Sequence, residues 1–530
     1  MKTNPWLLAI GLILLSILAL ILGRAMMPVT PALTHDSAAY LNAAENLASS
    51  GQLRIDMTLT TAQESSRRLC AYMPGYAVFL SGLLRLGISE SAALYGLTLA
   101  GLILMGLMVA VLVRELTHSL FLAIAAGAIL LIFQPLLDTM TYALTETLYI
   151  PVSLALIWVI SRYVRSARPE IGVIILLVAS MAALSLLRIV GAMLVAVAGG
   201  VLVLRSLLNR RWRRAAGEVG LTALSQIPAA AVLLANYQQT GRIYCATNSA
   251  GWNIERTTRG LLAQLLLGQF KPDLSLGLGL RGFVEALPGI AIGIVLVILA
   301  LALVYLAWRA RKQLGQAGRD LATWPVLVMV LYLAVYYGFF FVFGNTWARW
   351  DFPRYFVPGY PFILILGLLV LDALFRRLPY WPVRVALLLG LAGVVFAYAQ
   401  TSLRQIPVAA AGRGIEAAEV GDQPVMAYLR QNLKESDLLF STREPTLWYY
   451  FRRPVRRVMG LTEISCRQLQ APPAGGRSLF VLFPEGNYPG DPASAEDESW
   501  FRGWIESCGR VADHQVFGDS AVYIIEWNNR

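Results

Sequence analysis

The chain has 530 residues, of which 57% are hydrophobic and only 14% charged, with a mean hydropathy of +0.60. A soluble domain carries about 25% charged residues, so much of this apolar surface must face lipid, and an ordinary water-soluble protein is excluded. The formal net charge of +12 needs no nucleic-acid surface to explain it, because the basic residues follow a topological pattern.

A bilayer-crossing helix needs about 20 mostly apolar residues. Such runs occur at 6–23, 91–113, 119–137, 146–161, 171–187, 189–204, 218–236, 288–308, 324–343, 358–375 and 383–400, which predicts about eleven transmembrane helices. The first run is read as a retained helix, since no small-x-small cleavage site follows it. Between the first two runs, Asp36, Tyr40, Ala43, Ala44 and Leu47 recur at helical spacing and predict a helix over 36–49 that stops at Ser50 and Gly51. Residues 75–88 and 260–270 are apolar but too short to span, and read as helices lying in the interface.

From about 405 the pattern changes. Helix-like stretches at 424–433 and 497–507 alternate with β-like runs at 437–441, 478–483, 510–517 and 521–527, as in a small α/β domain. The predicted organisation is a transmembrane domain over 1–404, with outer-face juxtamembrane helices in 28–90 and 237–287, and an extracytoplasmic α/β domain over 405–530.

Orientation follows from Lys and Arg. With the N-terminus inside, the short inner loops hold Arg162, Arg165 and Arg168, then Arg205, Arg210, Arg211, Arg213 and Arg214, and later Arg309, Arg311, Lys312 and Arg319. The long outer loops are far less densely basic. The N-terminus is therefore expected in the cytoplasm and the tail outside, on a multi-pass membrane protein. All four cysteines, Cys70, Cys245, Cys466 and Cys508, then lie in an oxidising compartment that permits disulfides. Cys466 and Cys508 share the tail and could pair, which spacing alone does not decide. No Cys/His cluster has zinc-ligand spacing.

Ionisable groups near a membrane are costly and call for a reason. Asp36, Arg67, Arg68, Glu146, Arg188, Arg349, Asp351 and Arg354 fall at predicted outer ends of different spans. Guanidiniums match phosphate oxygens bidentately, and a carboxylate can take the proton of an attacking hydroxyl. This set suits a reaction between a lipid-borne phosphate and a hydroxyl acceptor.

Four segments carry a resemblance. Thr34-His35-Asp36-Ser37-Ala38-Ala39-Tyr40, continuing to Asn46, Leu47 and Gly51, resembles the first outer loop of the GT-C glycosyltransferases, among them bacterial relatives of protein O-mannosyltransferases and of the lipid A aminoarabinose transferase. Tyr72-Met73-Pro74-Gly75-Tyr76 resembles their Pro-Pro-Gly-Tyr-Pro segment, Leu144-Thr145-Glu146-Thr147-Leu148-Tyr149 their Ser-Glu-Thr helix start, and Arg354-Tyr355-Phe356-Val357-Pro358 a late Arg-Tyr segment. In the tail, Ser441-Thr442-Arg443-Glu444-Pro445 followed by Trp448-Tyr449-Tyr450 is similar to the appended domains of bacterial members.

The resemblance implies a GT-C type α-helical membrane fold and inverting transfer of a sugar from a polyprenyl-phosphate donor to a hydroxyl acceptor on a glycan, lipid or protein. It implies Asp36 as the general base, and Arg67, Arg68, Tyr72, Glu146, Arg188, Arg354 and Tyr355 as candidates for the donor phosphate or substrate. Ser37 stands where many members have a second acidic residue, and Met73 replaces a Pro. No metal ligand is assigned, and participation of a divalent cation is left open. Bland roles compete: Asp36 as a helix cap, Glu146 as a first-turn carboxylate, Arg188 as a snorkelling side chain, and Arg452, Arg453, Arg456 and Arg457 as a solvated or headgroup-facing patch. A lipid-linked-glycan transporter would gather charges too, though with broken helices or repeats, and an envelope-assembly scaffold would tolerate loss of Asp36.

Overall fold

The computed structural model of the protein describes residues 5–57, 68–166, 168–243, 245, 316–343, 357–377, 381–410, 414–457, 477–483, 509–518 and 520–527. In chain order the helices are α1 (Pro5–Met26), α2 (His35–Ser50), α3 (Gly75–Arg85), α4 (Glu90–Thr117), α5 (Leu120–Ile132), α6 (Gln134–Met140), α7 (Glu146–Arg165), α8 (Ile171–Leu187), α9 (Ile189–Leu208), α10 (Trp212–Thr240), α11 (Gln316–Phe343), α12 (Tyr360–Arg377), α13 (Trp381–Ala410), α14 (Ala418–Gly421), α15 (Pro424–Asn432) and α16 (Glu444–Phe451). The strands are β1 (Leu438–Ser441), β2 (Val455–Arg457), β3 (Ser478–Leu482), β4 (Gly509–Phe517) and β5 (Ser520–Trp527). Two compact units result: Met1–Pro31, Ser91–Val232 and Asn248–Ala410 form one, and Ala32–Glu90, Leu233–Thr247 and Ala411–Arg530 the other.

In the described residues the first unit is helical. α1 shows its packing logic: Gly11, Leu15, Ala19, Leu22 and Met26 recur at helical spacing and are buried, while Trp6, Ile10, Ile13, Leu14, Ile17 and Ile21 are exposed. A helix that is apolar on both its packed and its outward face is built for lipid. Among the described residues, α1, α4, α7, α9 and α10 are long and apolar enough to cross a membrane. The run at 119–137, expected as one span, is instead α5 and α6, bent by 67°. Pro135 stands in the first turn of α6 and has no N–H to continue the α5 ladder. The carbonyl of Ile132 at the break accepts the Ser402 hydroxyl at 2.6 Å, so the backbone there stays satisfied away from water. The expected span at 288–308 and the interfacial helix at 260–270 lie outside the described residues.

The second unit carries a five-stranded sheet in the order β2-β1-β3-β5-β4. β1 runs parallel to β2 and β3, and β5 antiparallel to β3 and β4. α16 makes the crossover between parallel β1 and β2, which such a pair requires. Phe440 and Phe480 stack at 4.4 Å in a core with Ala521, Tyr523 and Ile525. The β2 edge is not bare: Met57 pairs with Val455 in parallel, and the Val455 N–H donates to Asp56 at 3.1 Å. A stretch next to α2 thus covers a sheet edge in the tail. Leu33 joins the same two stretches, its N–H donating to Glu416 at 2.7 Å and its carbonyl accepting from Ile415 at 2.9 Å.

Three of the four arginines read as a solvated or headgroup-facing patch also make contacts within the protein. Arg452 pairs with Glu45 at 3.1 Å and Glu90 at 2.8 Å. Arg453 donates to the Lys434 carbonyl at 2.6 Å, and the Arg456 guanidinium lies 5.8 Å from the Phe440 ring centroid. The cations have partners from distant parts of the chain, which local charge density does not reveal. Cys70 and Cys245 form a disulfide with a Cα–Cα distance of 5.3 Å. The Cys466–Cys508 pairing weighed from sequence lies outside the described residues.

Candidate functional site

The sequence-predicted residues fall into two clusters, one in each unit, while Arg67, Arg354 and Tyr355 lie outside the described residues.

In the second unit, α2 opens with a capping box. The Thr34 side chain accepts from the Ser37 N–H at 3.2 Å, and the Ser37 hydroxyl accepts from the Thr34 N–H at 3.0 Å. Thr34 is therefore the cap, and Asp36 in the first turn is not spent on it. Ser37, at the position where the resembled family often has a second acidic residue, performs the reciprocal half of the box. The Asp36 carboxylate accepts the Tyr72 hydroxyl at 2.6 Å. Tyr72 in turn packs on Tyr40 at 5.2 Å between ring centroids, and Tyr40 meets Tyr76 edge-on at 5.5 Å. The two tyrosines of the 72–76 segment and the tyrosine one helical turn past Asp36 thus form one aromatic wall beside the carboxylate.

Arg68 donates to Asn236 at 2.7 Å and to Gln239 at 3.1 Å, both near the end of α10. Burial pushes the pKa of its guanidinium below the ordinary arginine value. Neither amide partner was singled out from sequence, although Asn236 and Gln239 are three apart and share a helix face.

In the first unit Glu146 is fully buried at the start of α7 and forms an ion pair with Arg188. Arg188 lies in the extended link between α8 and α9, its side chain 12% exposed, so it pairs inward rather than snorkelling. The link is tight because Gly191 follows: a Cβ there would fall 2.0 Å from the Leu184 carbonyl oxygen. Gly101 does the same for Glu146, letting α4 approach the Thr147 carbonyl to a distance no larger residue would permit. The Arg188 guanidinium lies 5.9 Å from the Tyr149 ring centroid. The Tyr149 hydroxyl bonds to that of Tyr332 on α11 at 2.8 Å, and Tyr332 packs against Phe362 on α12. Sequence reasoning missed this tyrosine pair; the i, i+3 spacing of Glu146 and Tyr149 was the available signal.

Chemically, the first cluster offers an oriented carboxylate beside aromatic faces, and the second a buried cation already balanced by an anion. Among the described residues no three His, Cys, Asp or Glu side chains gather as a metal-binding group.

No protein-family model and no curated protein matches this chain. Solved structures do. The crystal structure of ArnT from Cupriavidus metallidurans bound to undecaprenyl phosphate is similar over 97% of both chains, with a TM-score of 0.57 and 14% identity. The apo structure of the same protein is similar over 97% of both chains, with a TM-score of 0.55 and 15% identity. This chain therefore has the fold of the ArnT structures, mostly helical with several apolar spans and a small sheet towards its C-terminus.

Proposed function

We propose that the chain is an inverting glycosyltransferase that moves a sugar from a polyprenyl-phosphate donor to a hydroxyl acceptor on an envelope glycan, lipid or protein. The acceptor oxygen attacks the anomeric carbon, the bond from that carbon to the phosphate oxygen breaks, and polyprenyl phosphate departs. Asp36 takes the acceptor's proton. Arg67, Arg68, Arg188 and Arg354 are the candidate cations for the phosphate, and Tyr72, Glu146 and Tyr355 further candidates for substrate contact.

The observation that carries the proposal is the Asp36–Tyr72 pair. A carboxylate relieved of capping and held by a 2.6 Å hydrogen bond is an oriented base, in the segment where the resemblance implies one. The fold adds support, since the ArnT structure it resembles holds undecaprenyl phosphate. The Cys70–Cys245 disulfide supports placing the second unit in an oxidising compartment, at the outer face of a cytoplasmic membrane with the N-terminus inside.

The test is transfer of radiolabelled sugar from a panel of polyprenyl-phosphate sugars by the purified protein in lipid, wild type against Asp36→Asn. Transfer or slow donor hydrolysis by the wild type, reduced at least about 100-fold in the variant, is expected. Full transfer by a folded Asp36→Asn protein would remove Asp36 as the base. Donor that neither binds nor reacts with the folded wild type would remove the enzyme reading.

A further inference from the structure

Three features converge on residues 68–72. The Arg68 guanidinium grips Asn236 and Gln239. Cys70 is bonded covalently to Cys245, and the Cys245 N–H donates to the Cys70 carbonyl at 3.1 Å. Two residues on, Tyr72 donates to Asp36. The segment is thus fastened on one side to Asn236, Gln239 and Cys245, and the Tyr72 hydroxyl is presented to the carboxylate on the other. Cys70 and Cys245 are both fully buried, so a reductant reaches the bridge only through local opening of the fold. The stretch is otherwise short of regular structure: Arg68 makes one isolated bridge to Arg54, and helix α3 begins only at Gly75. Something other than secondary structure must fix where Tyr72 stands.

We infer that the Cys70–Cys245 bridge is a positioning element for Asp36, acting through Tyr72. Without the bridge, the 68–72 segment loses its covalent tie to Cys245 and keeps only non-covalent holds, the Arg68 grip, the Arg54 bridge and the packing of Tyr72 on Tyr40, so the Tyr72 hydroxyl is held less closely to the carboxylate. A misplacement of about 1 Å at a catalytic group can cost about 100-fold in rate. Because the effect runs through orientation of the base and not through donor contacts, it belongs to turnover rather than to donor binding. The inference rests on the proposal that Asp36 is the base.

The experiment compares wild type, Cys70→Ser/Cys245→Ser, Tyr72→Phe and the triple variant in lipid, reading kcat and donor KM for each. The expected result is a fall in kcat at saturating donor of about tenfold or more for the cysteine variant and for Tyr72→Phe, a fall that loss of uniform donor binding through Arg68 or Tyr72 would not produce. The triple variant should be no slower than the worse of the two, since both changes remove one orienting contact. Multiplicative losses in the triple variant would overturn the inference, as would unchanged kcat in a folded cysteine variant. Should that variant fail to fold, the wild type is reduced after reconstitution by an added dithiol. Two electrons and two protons pass to the bridge, the dithiol becoming a disulfide, and alkylation with a mass readout counts the thiols formed. Reduced, folded wild type with undiminished kcat overturns the inference; a fall that Tyr72→Phe protein does not share supports it. Activity retained by Asp36→Asn would instead remove the base assignment on which the inference stands.

Discussion

Arg452 binds Glu90 through both carboxylate oxygens, each at 2.8 Å, while its other terminal nitrogen reaches Glu45 at 3.1 Å. One guanidinium thus serves two carboxylates on α2 and at the head of α4, and it lies 4.6 Å from the Trp448 ring centroid. Burial pushes the Glu45 carboxyl up from its ordinary 4.5 to about 7. Arg452 opposes that rise, and neighbouring Glu90 and Asp56 add to it.

This sets a pH dependence of known sign. Between about 4.5 and about 7 the folded protein holds more protons at Glu45 than the unfolded chain does. Stability must therefore fall as pH rises through that window and level off above it. Thermal unfolding of the purified protein across the window should show the decline, and Glu45→Gln should flatten it. Arg452→Ala, which leaves the two carboxylates without their shared cation, should cost about 1 kcal/mol at neutral pH, as befits a half-exposed pair, and should steepen the decline.

Capping and chemistry at the start of α2 should separate by mutation. Thr34→Ala removes the cap and is expected to cost about 1 kcal/mol of stability. Asp36→Asn removes no cap and is expected to unfold within about 0.5 kcal/mol of wild type while losing transfer activity. Equal destabilisation by both variants in denaturant melts would assign Asp36 a structural role.

The Glu146–Arg188 pair is buried, so each partner depends on the other. Glu146→Gln or Arg188→Met alone should destabilise by about 3–5 kcal/mol, because each leaves an unbalanced charge away from water. The double variant should recover most of that loss. Unfolding midpoints of the four proteins in one detergent give the cycle, and additive losses would show that the pair is not coupled.

Much of the helical architecture was legible because lipid-facing helices are written in long apolar runs, and α2 because Asp36, Tyr40, Ala43 and Leu47 share one face. The α5–α6 break was not, although Pro135 marked it, since an apolar window averages over a single missing N–H. The role of Ser37 was hidden by comparison with an acidic pattern, when the residue works locally with Thr34. The Arg452 ion pair was not legible, because its Glu45 partner lies 407 positions away. The disulfide could not be deduced at all, as four cysteines permit three pairings and only the folded chain brings residues 175 apart into bonding range.

The second unit is assembled from Ala32–Glu90, Leu233–Thr247 and Ala411–Arg530, and this fixes an order of events during synthesis. The segment bearing Asp36 leaves the ribosome early, but Cys245 follows Cys70 by 175 residues, and the Val455 partner of Met57 arrives later still. Translation at about 5–20 residues per second leaves α2 waiting tens of seconds for the chain that completes its surroundings. Such long-range closure is slow by nature. The unit is therefore a late product of biogenesis, and a ribosome halted before residue 455 would leave α2 made but its surroundings unfinished.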